Sequence, residues 1–360
     1  MSGGTSRDYE ILGVRVALWG DCQDFLDHYR LQYGAFETHP RPIPEADVRA
    51  QFLSTGPTLV LNGRKTELPC ISHPFEEAQS LIWEEVASRV TDFHLLHGAV
   101  LVRDGGALVI SGPPGSGKTT LALALAKKGW TLYSDEMAPL HRGSGLIHPF
   151  PRAIHVRRER EAETEAKVAG QDQPALSKEC IAFPVSKKGF PPAPWKVLFL
   201  IGALERPSRE RHILHVTVRD PEGRFYGEAL RVAGTSGEIL CQKRGFRHYR
   251  LVLPKTRDAT ESFMALRRRW GAEIVQMARV EEGRYEFGHQ AECKAVPLDQ
   301  AFLLLVGGLK ALWTGKTSAT MLLADLAQHM EQVRVTALRV GALEETVSMV
   351  ERWAARCGQP

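Results

Sequence analysis

No apolar run in the 360-residue chain approaches the length of a membrane span. A helix needs about 20 consecutive apolar residues to cross a bilayer. The opening residues, Met1-Ser-Gly-Gly-Thr-Ser-Arg-Asp8, lack the apolar core of a signal peptide, so a cytoplasmic protein with no membrane partner is expected. Cysteine is sparse and unpatterned. The six residues Cys22, Cys70, Cys180, Cys241, Cys293 and Cys357 show no CxxC or Cys/His ligand spacing. That argues against a zinc site and a disulfide framework, and for free thiols in a reducing compartment. A strong excess of one charge is also missing. With 46 Lys and Arg against 42 Asp and Glu, the net charge of +4 suits an acidic substrate or a nucleotide but does not point to nucleic acid. There is no internal repeat or low-complexity tract. What remains, at 43% hydrophobic and 24% charged residues, is an ordinary globular composition with length enough for two domains.

Against this background one stretch stands out: Ala107-Leu-Val-Ile-Ser-Gly-Pro-Pro-Gly-Ser-Gly-Lys-Thr-Thr120. It contains Gly112-x4-Gly117-Lys118-Thr119, a full match to the phosphate-binding loop pattern GxxxxGK followed by Ser or Thr. The apolar run Ala107 to Ile110 before it predicts a buried strand. Leu121 to Ala126 after it predicts a packed helix, with Gly129 at the C-cap. The chemistry demands these residue types. Backbone N–H groups must wrap a polyanion, so Gly112, Pro113, Gly115, Ser116 and Gly117 form the candidate cradle, and the glycines allow an approach a Cβ would block. The helix starting near Lys118 would aim its positive end at the phosphates. Lys118 would reach the β- and γ-phosphates, and Thr119, followed by Thr120, would offer a hydroxyl to Mg²⁺. ATP with Mg²⁺ is the expected ligand.

The flanks extend the pattern. Thr131 to Ser134 predicts a further strand ending in Asp135-Glu136. In a parallel sheet the carboxyl end of the neighbouring strand opens beside the loop, so Asp135 is placed to meet a γ-phosphate, a metal or an acceptor hydroxyl. Upstream, Leu95 to Val102 alternates like one strand, and Arg103-Asp-Gly-Gly106 signals a hairpin turn into the loop strand. Downstream, Arg152 in the rigid His148-Pro-Phe-Pro-Arg152 stretch is a candidate phosphate clamp, with a plain surface arginine as the equal alternative.

The order His97-Gly-Ala-Val-Leu-Val102, hairpin turn, GPPGSGKTT, helix to Gly129, then Leu132-Tyr-Ser-Asp135-Glu136 resembles the catalytic domain of HPr kinase/phosphorylase. It is closer still to HPr-kinase-related proteins found beside peptide-modification genes, including lasso-peptide kinases. The resemblance covers about residues 93–140 and returns near 330–356. It implies an α/β phosphate-loop core in which Lys118 and Thr119 hold ATP and Mg²⁺. It further implies Asp135 as catalytic base and His97 beside it. The chain departs from that family in carrying Thr119-Thr120 after the lysine and Asp135-Glu136 after the strand, and the family's downstream metal-binding signature is not recognisable. HPr itself as substrate, and the reverse phosphorolysis, therefore carry over poorly.

The rest of the chain supplies architecture. Residues 1–91 read as a smaller α+β domain. It would have strands within Tyr9 to Leu18 and a helix from Asp21 to Tyr33 with Phe25, Leu26 and Tyr29 inward. An Asn62-Gly63 hairpin and a helix from Phe75 to Val90 follow. It bears no chemical signature, so packing support is expected ahead of peptide recognition. Residues 92–360 would form the phosphate-loop domain, interrupted at about 219–297 by an insertion with strands near Tyr249–Leu253 and Arg284–Phe287 and a helix from Glu261 to Gln276. Val197 to Ile201 predicts a central strand, with Glu205 beyond it a weak candidate for a magnesium-binding acid. The charge-dense run from Arg157 to Lys167 reads first as solvated surface. A second Gly315-Lys-Thr317 lacks its strand and first glycine and reads as a turn between helices Leu298–Leu312 and Ser318–Met330. A strand from Val333 to Leu338 and a helix from Ala342 to Ala355, with Leu343, Val347, Val350 and Trp353 inward, would close the fold.

The expected function is ATP-dependent transfer of the γ-phosphoryl group to a hydroxyl, most simply a serine of a peptide or protein. In it Lys118 neutralises charge, Asp135 accepts the proton, His97 tunes Asp135, and Glu136 and Thr119 attend the metal. A small-molecule alcohol kinase and a non-catalytic ATP-sensing module are the alternatives. A homo-oligomer is compatible with the sequence, which does not set the oligomeric state.

Overall fold

The computed structural model describes residues 6–68, 74–113, 116–157, 178–181, 190–201, 211–220, 222–231, 236–243, 246–254, 257–271, 273–280, 290–306 and 319–357. The chain is a mixed α/β protein.

The N-terminal unit starts with strand β1 (Ser6–Ile11), β2 (Val14–Gly20), helix α1 (Gln23–Tyr33) and β3 (Glu37–Thr38). It continues through β4 (Val48–Leu53), β5 (Thr58–Leu61), β6 (Arg64–Glu67) and α2 (Pro74–Arg89). Its six strands run in the order β3-β1-β2-β4-β5-β6. Residues 6–8 are already strand, paired to Trp19, Leu18 and Ala17. The β5–β6 hairpin turns through Asn62 and Gly63, both at positive φ, as a type I′ turn requires. Helix α1 buries Phe25, Leu26, Tyr29, Gln32 and Tyr33 at helical spacing. α2 buries Ala78, Ile82, Trp83 and Val86 on the same core, where Phe25 stacks on Phe52 at 4.3 Å. That core does not stop at the unit's end: Leu95, Met137 and Phe150 belong to it.

The central sheet is built from β7 (Phe93–His97), β8 (Ala99–Arg103) and β9 (Gly106–Ser111), then, after helix α3 (Lys118–Lys127), β10 (Thr131–Ser134), β11 (Met137–His141) and β12 (Leu146–Ile147). A two-stranded ribbon follows, β13 (Ile154–Arg157) against β14 (Lys178–Ile181). Then β15 (Ala193–Ile201) enters the middle of the sheet, parallel to β9, as its apolar composition predicts.

Two expectations are corrected here. The stretch from Leu95 to Val102 is not one strand but two. It breaks at Gly98, after which β8 pairs with β9 while β7 pairs with β11. The reason is local: a Cβ on Gly98 would lie 2.7 Å from the carbonyl oxygen of Ile110, so the chain can cross only without a side chain. Moreover, β10 is not the neighbour of the loop strand. β8 lies between β10 and β9, antiparallel to both, because the tight β8–β9 hairpin through Asp104 and Gly105 occupies that edge of β9.

Beyond β15 the chain makes a separate four-stranded sheet. Its elements are β16 (Arg211–Arg219), α4 (Arg224–Arg231), β17 (Ser236–Lys243), β18 (Phe246–Pro254), α5 (Arg257–Arg269) and β19 (Ile274–Val280). The order β17-β18-β16-β19, all antiparallel, is a split βαβ arrangement with its own core around Phe225, Tyr249 and Phe263. This sheet differs from the expected 219–297 insertion at both ends. It already includes β16, and β20 (Glu292–Ala295) pairs with β21 (Arg334–Arg339) of the central sheet. The helix predicted to Gln276 ends at Arg269, since Ile274 to Gln276 are needed to pair with β16. Arg284 to Phe287 lie outside the described residues.

α6 (Leu298–Val306) and α7 (Ala319–Met330) pack on one face of the central sheet, and α3 with α8 (Leu343–Cys357) on the other. α8 buries Val347 and Val350 as expected, but Leu343, in its first turn, is exposed. Gly315 to Thr317 fall outside the described residues.

Gly98 gives a test of this crossing. Gly98→Ala pushes a methyl group onto backbone, so unfolding in urea should show a loss of about 1–3 kcal/mol, the usual cost of overpacking. An unchanged midpoint would mean the two strands are not so closely crossed.

Candidate functional site

The glycine-rich loop leaves β9 at Ser111 and enters α3 at Lys118. Because β15 runs parallel beside β9, with Leu200 opposite Ser111, the loop must pass the end of β15. A Cβ on Gly112 would meet the Ile201 carbonyl oxygen at 2.8 Å, which accounts for glycine there. Gly117 caps α3 in the left-handed region, at φ 88°. Pro114 and Gly115 lie outside the described residues. At the far end, Gly129 is left-handed and its N–H donates to the Ala126 carbonyl, closing α3 as expected.

Two polar side chains are turned inward at the loop. Ser116 is 1% exposed, and its hydroxyl has no hydrogen-bond partner. Lys118 is also buried, and its Nζ donates to the carbonyl oxygens of Gly112 at 2.7 Å and Pro113 at 2.9 Å. Burial pushes its pKa down to about 8, against the pull of Glu136 and Asp135. An ammonium held by two neutral carbonyls at a helix N-terminus is under-compensated, and an anion would restore the balance. Thr119 is half-buried and Thr120 exposed.

Asp135 and Glu136 sit in the tight turn from β10 to β11. Ser134 Oγ accepts the N–H groups of Glu136 and Met137, and Gly98 N–H donates to the Glu136 carbonyl, so the turn is tied on both sides. Burial, then the neighbouring Glu136, raise Asp135 to about 7, while Arg152 and Lys118 pull the other way. Glu136 pairs with Arg152 Nη1 at 2.7 Å. The structure thus brings Lys118, Asp135, Glu136 and Arg152 into one electrostatic group. Of the two readings of Arg152, plain surface is excluded, since its side chain is only 15% exposed.

His97 enters differently. The ladder sets it opposite Met137, and its carbonyl accepts a hydrogen bond from Ser111 Oγ at 2.9 Å, joining the end of β7 to the end of the loop strand. Glu205 lies outside the described residues, as does nearly all of Arg157 to Lys167. No group of three or more His, Cys, Asp or Glu side chains among the described residues could by itself hold a metal ion. A Mg²⁺ bound through nucleotide phosphates and water needs only one or two protein oxygens, which Thr119 and a carboxylate of the pair can supply.

Two neighbours of the site were not legible in the sequence. Gln32 and Tyr33, at the end of α1, lie against Arg152: its Nε points to Gln32 Oε1 at 3.4 Å, and its guanidinium sits 5.3 Å from the Tyr33 ring centroid. The only signal was a glutamine in register with the apolar face of α1. In comparisons with known proteins, no protein-family model matches the chain and no curated protein matches it significantly.

The raised Asp135 has a consequence for stability. Its folded pKa of about 7 exceeds the ordinary 3.8, so the folded chain holds that proton more tightly than the unfolded chain. This contribution is complete below about pH 4 and lost as pH rises through 7. Asp135→Asn escapes the loss. At pH 8 the variant should melt above the parent by about 2–4 °C, on the order of 1 kcal/mol, with the gap closing towards pH 4. Equal melting temperatures at both pH values would show that Asp135 carries no such burden.

Proposed function

We propose that this protein is an ATP-dependent phosphotransferase of the HPr-kinase-like type, with a phosphate-loop core, moving the γ-phosphoryl group to a hydroxyl. The observation that carries the reading is the buried Lys118 ammonium at the start of α3, resting on its own loop's carbonyls and electrostatically coupled to a carboxyl held near pH 7. A glycine-lined helix N-terminus with a buried, unpartnered Ser116 hydroxyl supports an anion ligand.

In this mechanism the phosphates enter the loop, and Lys118 exchanges its carbonyl contacts for phosphate oxygens. The acceptor oxygen attacks the γ-phosphorus in line; the new P–O bond forms as the bond to the bridging oxygen breaks, and ADP departs with that electron pair. The hydroxyl proton passes to Asp135, whose pKa near the working pH suits a general base. His97 supports the geometry from the adjoining strand. Mg²⁺, when bound through Thr119 and Glu136, would neutralise charge on the phosphates. The acceptor we favour is a serine of a peptide or protein, and the protein is expected to be cytoplasmic. Among the described residues no helix is long and apolar enough to cross a membrane.

Lys118→Ala should weaken Mg·ATP binding at least about 10-fold by calorimetry while the circular dichroism spectrum stays the same. Asp135→Asn should bind ATP normally yet transfer phosphate about 10²-fold more slowly or worse. Wild-type transfer should rise with pH around 7, and that limb should vanish in Asp135→Asn. Tight ATP binding with no turnover on any peptide or alcohol panel would favour an ATP-sensing module. Turnover on small alcohols alone would reassign the acceptor.

A further inference from the structure

One peptide unit ties the two halves of the site together. At the break between β7 and β8, the His97 carbonyl accepts the Ser111 hydroxyl at 2.9 Å. The N–H of the next residue, Gly98, donates to the Glu136 carbonyl at 3.0 Å. These are the C=O and the N–H of one amide. In a trans peptide they point in opposite directions, so the His97–Gly98 plane spans from the phosphate loop on one side to the carboxylate turn on the other. Both ends of this bridge are fixed to the chemistry. Ser111 is the last residue of β9, and the carbonyl of the following Gly112 holds Lys118 Nζ at 2.7 Å. Across the bridge, Ser134 Oγ secures the Asp135–Glu136 turn from within, while Gly98 ties it to the loop strand. The amide is also pressed against that strand. A Cβ on Gly98 would lie 2.7 Å from the Ile110 carbonyl oxygen and 3.3 Å from Val109 Cγ1.

Resting on the phosphotransfer reading above, we propose that Ser111, which lies outside the GxxxxGK pattern, is a positioning residue for the reaction. Through the His97–Gly98 amide it sets where the Asp135–Glu136 turn stands relative to the phosphate loop. Hydrogen bonds in series through one amide polarise each other, so the Ser111 bond strengthens the bond from Gly98 to Glu136. The planar unit is stiff as well, so movement at the base of the loop passes to the turn. In-line transfer needs that registration, because the acceptor meets Asp135 while the γ-phosphate is held by the loop. Misplacement by about 1 Å can cost about 10²-fold in rate. Phosphate affinity rests on other groups, namely Lys118 and the N-terminus of α3. Loss of the Ser111 hydroxyl therefore falls on transfer and spares nucleotide binding.

His97-Gly98 is the only His-Gly pair in the sequence. Full-length protein carrying carbonyl-¹³C histidine and ¹⁵N glycine thus gives a single HNCO correlation, from this amide alone. In Ser111→Ala the carbonyl carbon and the Gly98 amide proton should both move upfield. Addition of Mg·ATP should shift the correlation in the parent and leave it in place in the variant. Transfer to water, followed as phosphate release from ATP, should fall about 10-fold in Ser111→Ala, while calorimetric Mg·ATP affinity stays within about 3-fold. Ser111→Thr keeps the hydroxyl and should behave as the parent, whereas the isosteric Ser111→Val should behave as Ser111→Ala. That pair decides the matter should Ser111→Ala fail to fold, and the response of the correlation to Mg·ATP decides it where hydrolysis is too slow to follow. An unmoved Gly98 proton in Ser111→Ala, a loss of affinity equal to the loss of rate, or matching behaviour of Ser111→Thr and Ser111→Val overturns the proposal alone. A parent that binds no Mg·ATP overturns the phosphotransfer reading and the role of Ser111 with it.

Discussion

Burial of charge is the constraint on which the site depends. Lys118, Asp135, Glu136 and Arg152 are two cations and two carboxylates brought together where water is partly excluded. Isolated, any one of them would cost several kcal/mol to bury, so each must be compensated by the others or by dipoles. The compensation is deliberately uneven. Glu136 has a close partner in Arg152, whereas Lys118 rests on carbonyl oxygens and Asp135 is left with a raised pKa. Under-compensated groups of opposite kind brought together in the fold are what an anion and a proton acceptor both require, and the proposed phosphotransfer uses both.

The backbone achieves this by close crossings rather than by long-range reach. Gly98 passes over Ile110, and Gly112 passes the end of β15, each at distances that leave no room for a Cβ. Those crossings draw the ends of β7, β9 and β15 together. The turn holding Asp135 and Glu136 is then hung from Gly98 and Ser134. The four-stranded unit from Arg211 to Val280 keeps its own core around Phe225, Tyr249 and Phe263. Its exposed ion pair from Arg219 to Glu67 would contribute little to holding it in place.

Much was legible in the sequence, because it rests on local rules. A GxxxxGK pattern between an apolar strand and an alanine-leucine helix specifies strand, loop and helix from the conformations its residues allow. The Asn62-Gly63 and Asp104-Gly105 turns likewise follow from residues that tolerate positive φ. The amphipathic faces of α1 and α2 and the central place of β15 follow from hydrophobic spacing. Lys118, Asp135 and Glu136 could be nominated for the same reason, each lying within a turn of a recognisable element.

Tertiary structure alone decided the rest, since it concerns which distant segments meet. Sequence spacing put β10 beside β9; the hairpin interposed β8, because pairing across a two-residue turn costs less loop entropy than pairing across a longer connection. Nothing in residues 148–153 announces that Phe150 will anchor in the core of the N-terminal unit, against Phe36 and Trp83. Nor does α1 announce that its last turn will carry a guanidinium. A buried glutamine reads as a packing oddity until its partner arrives from elsewhere in the chain. Periodicity and turn chemistry are encoded within a few residues, while the pairing of Arg152 with Glu136 over Tyr33 is a property of the folded surface that brings them together.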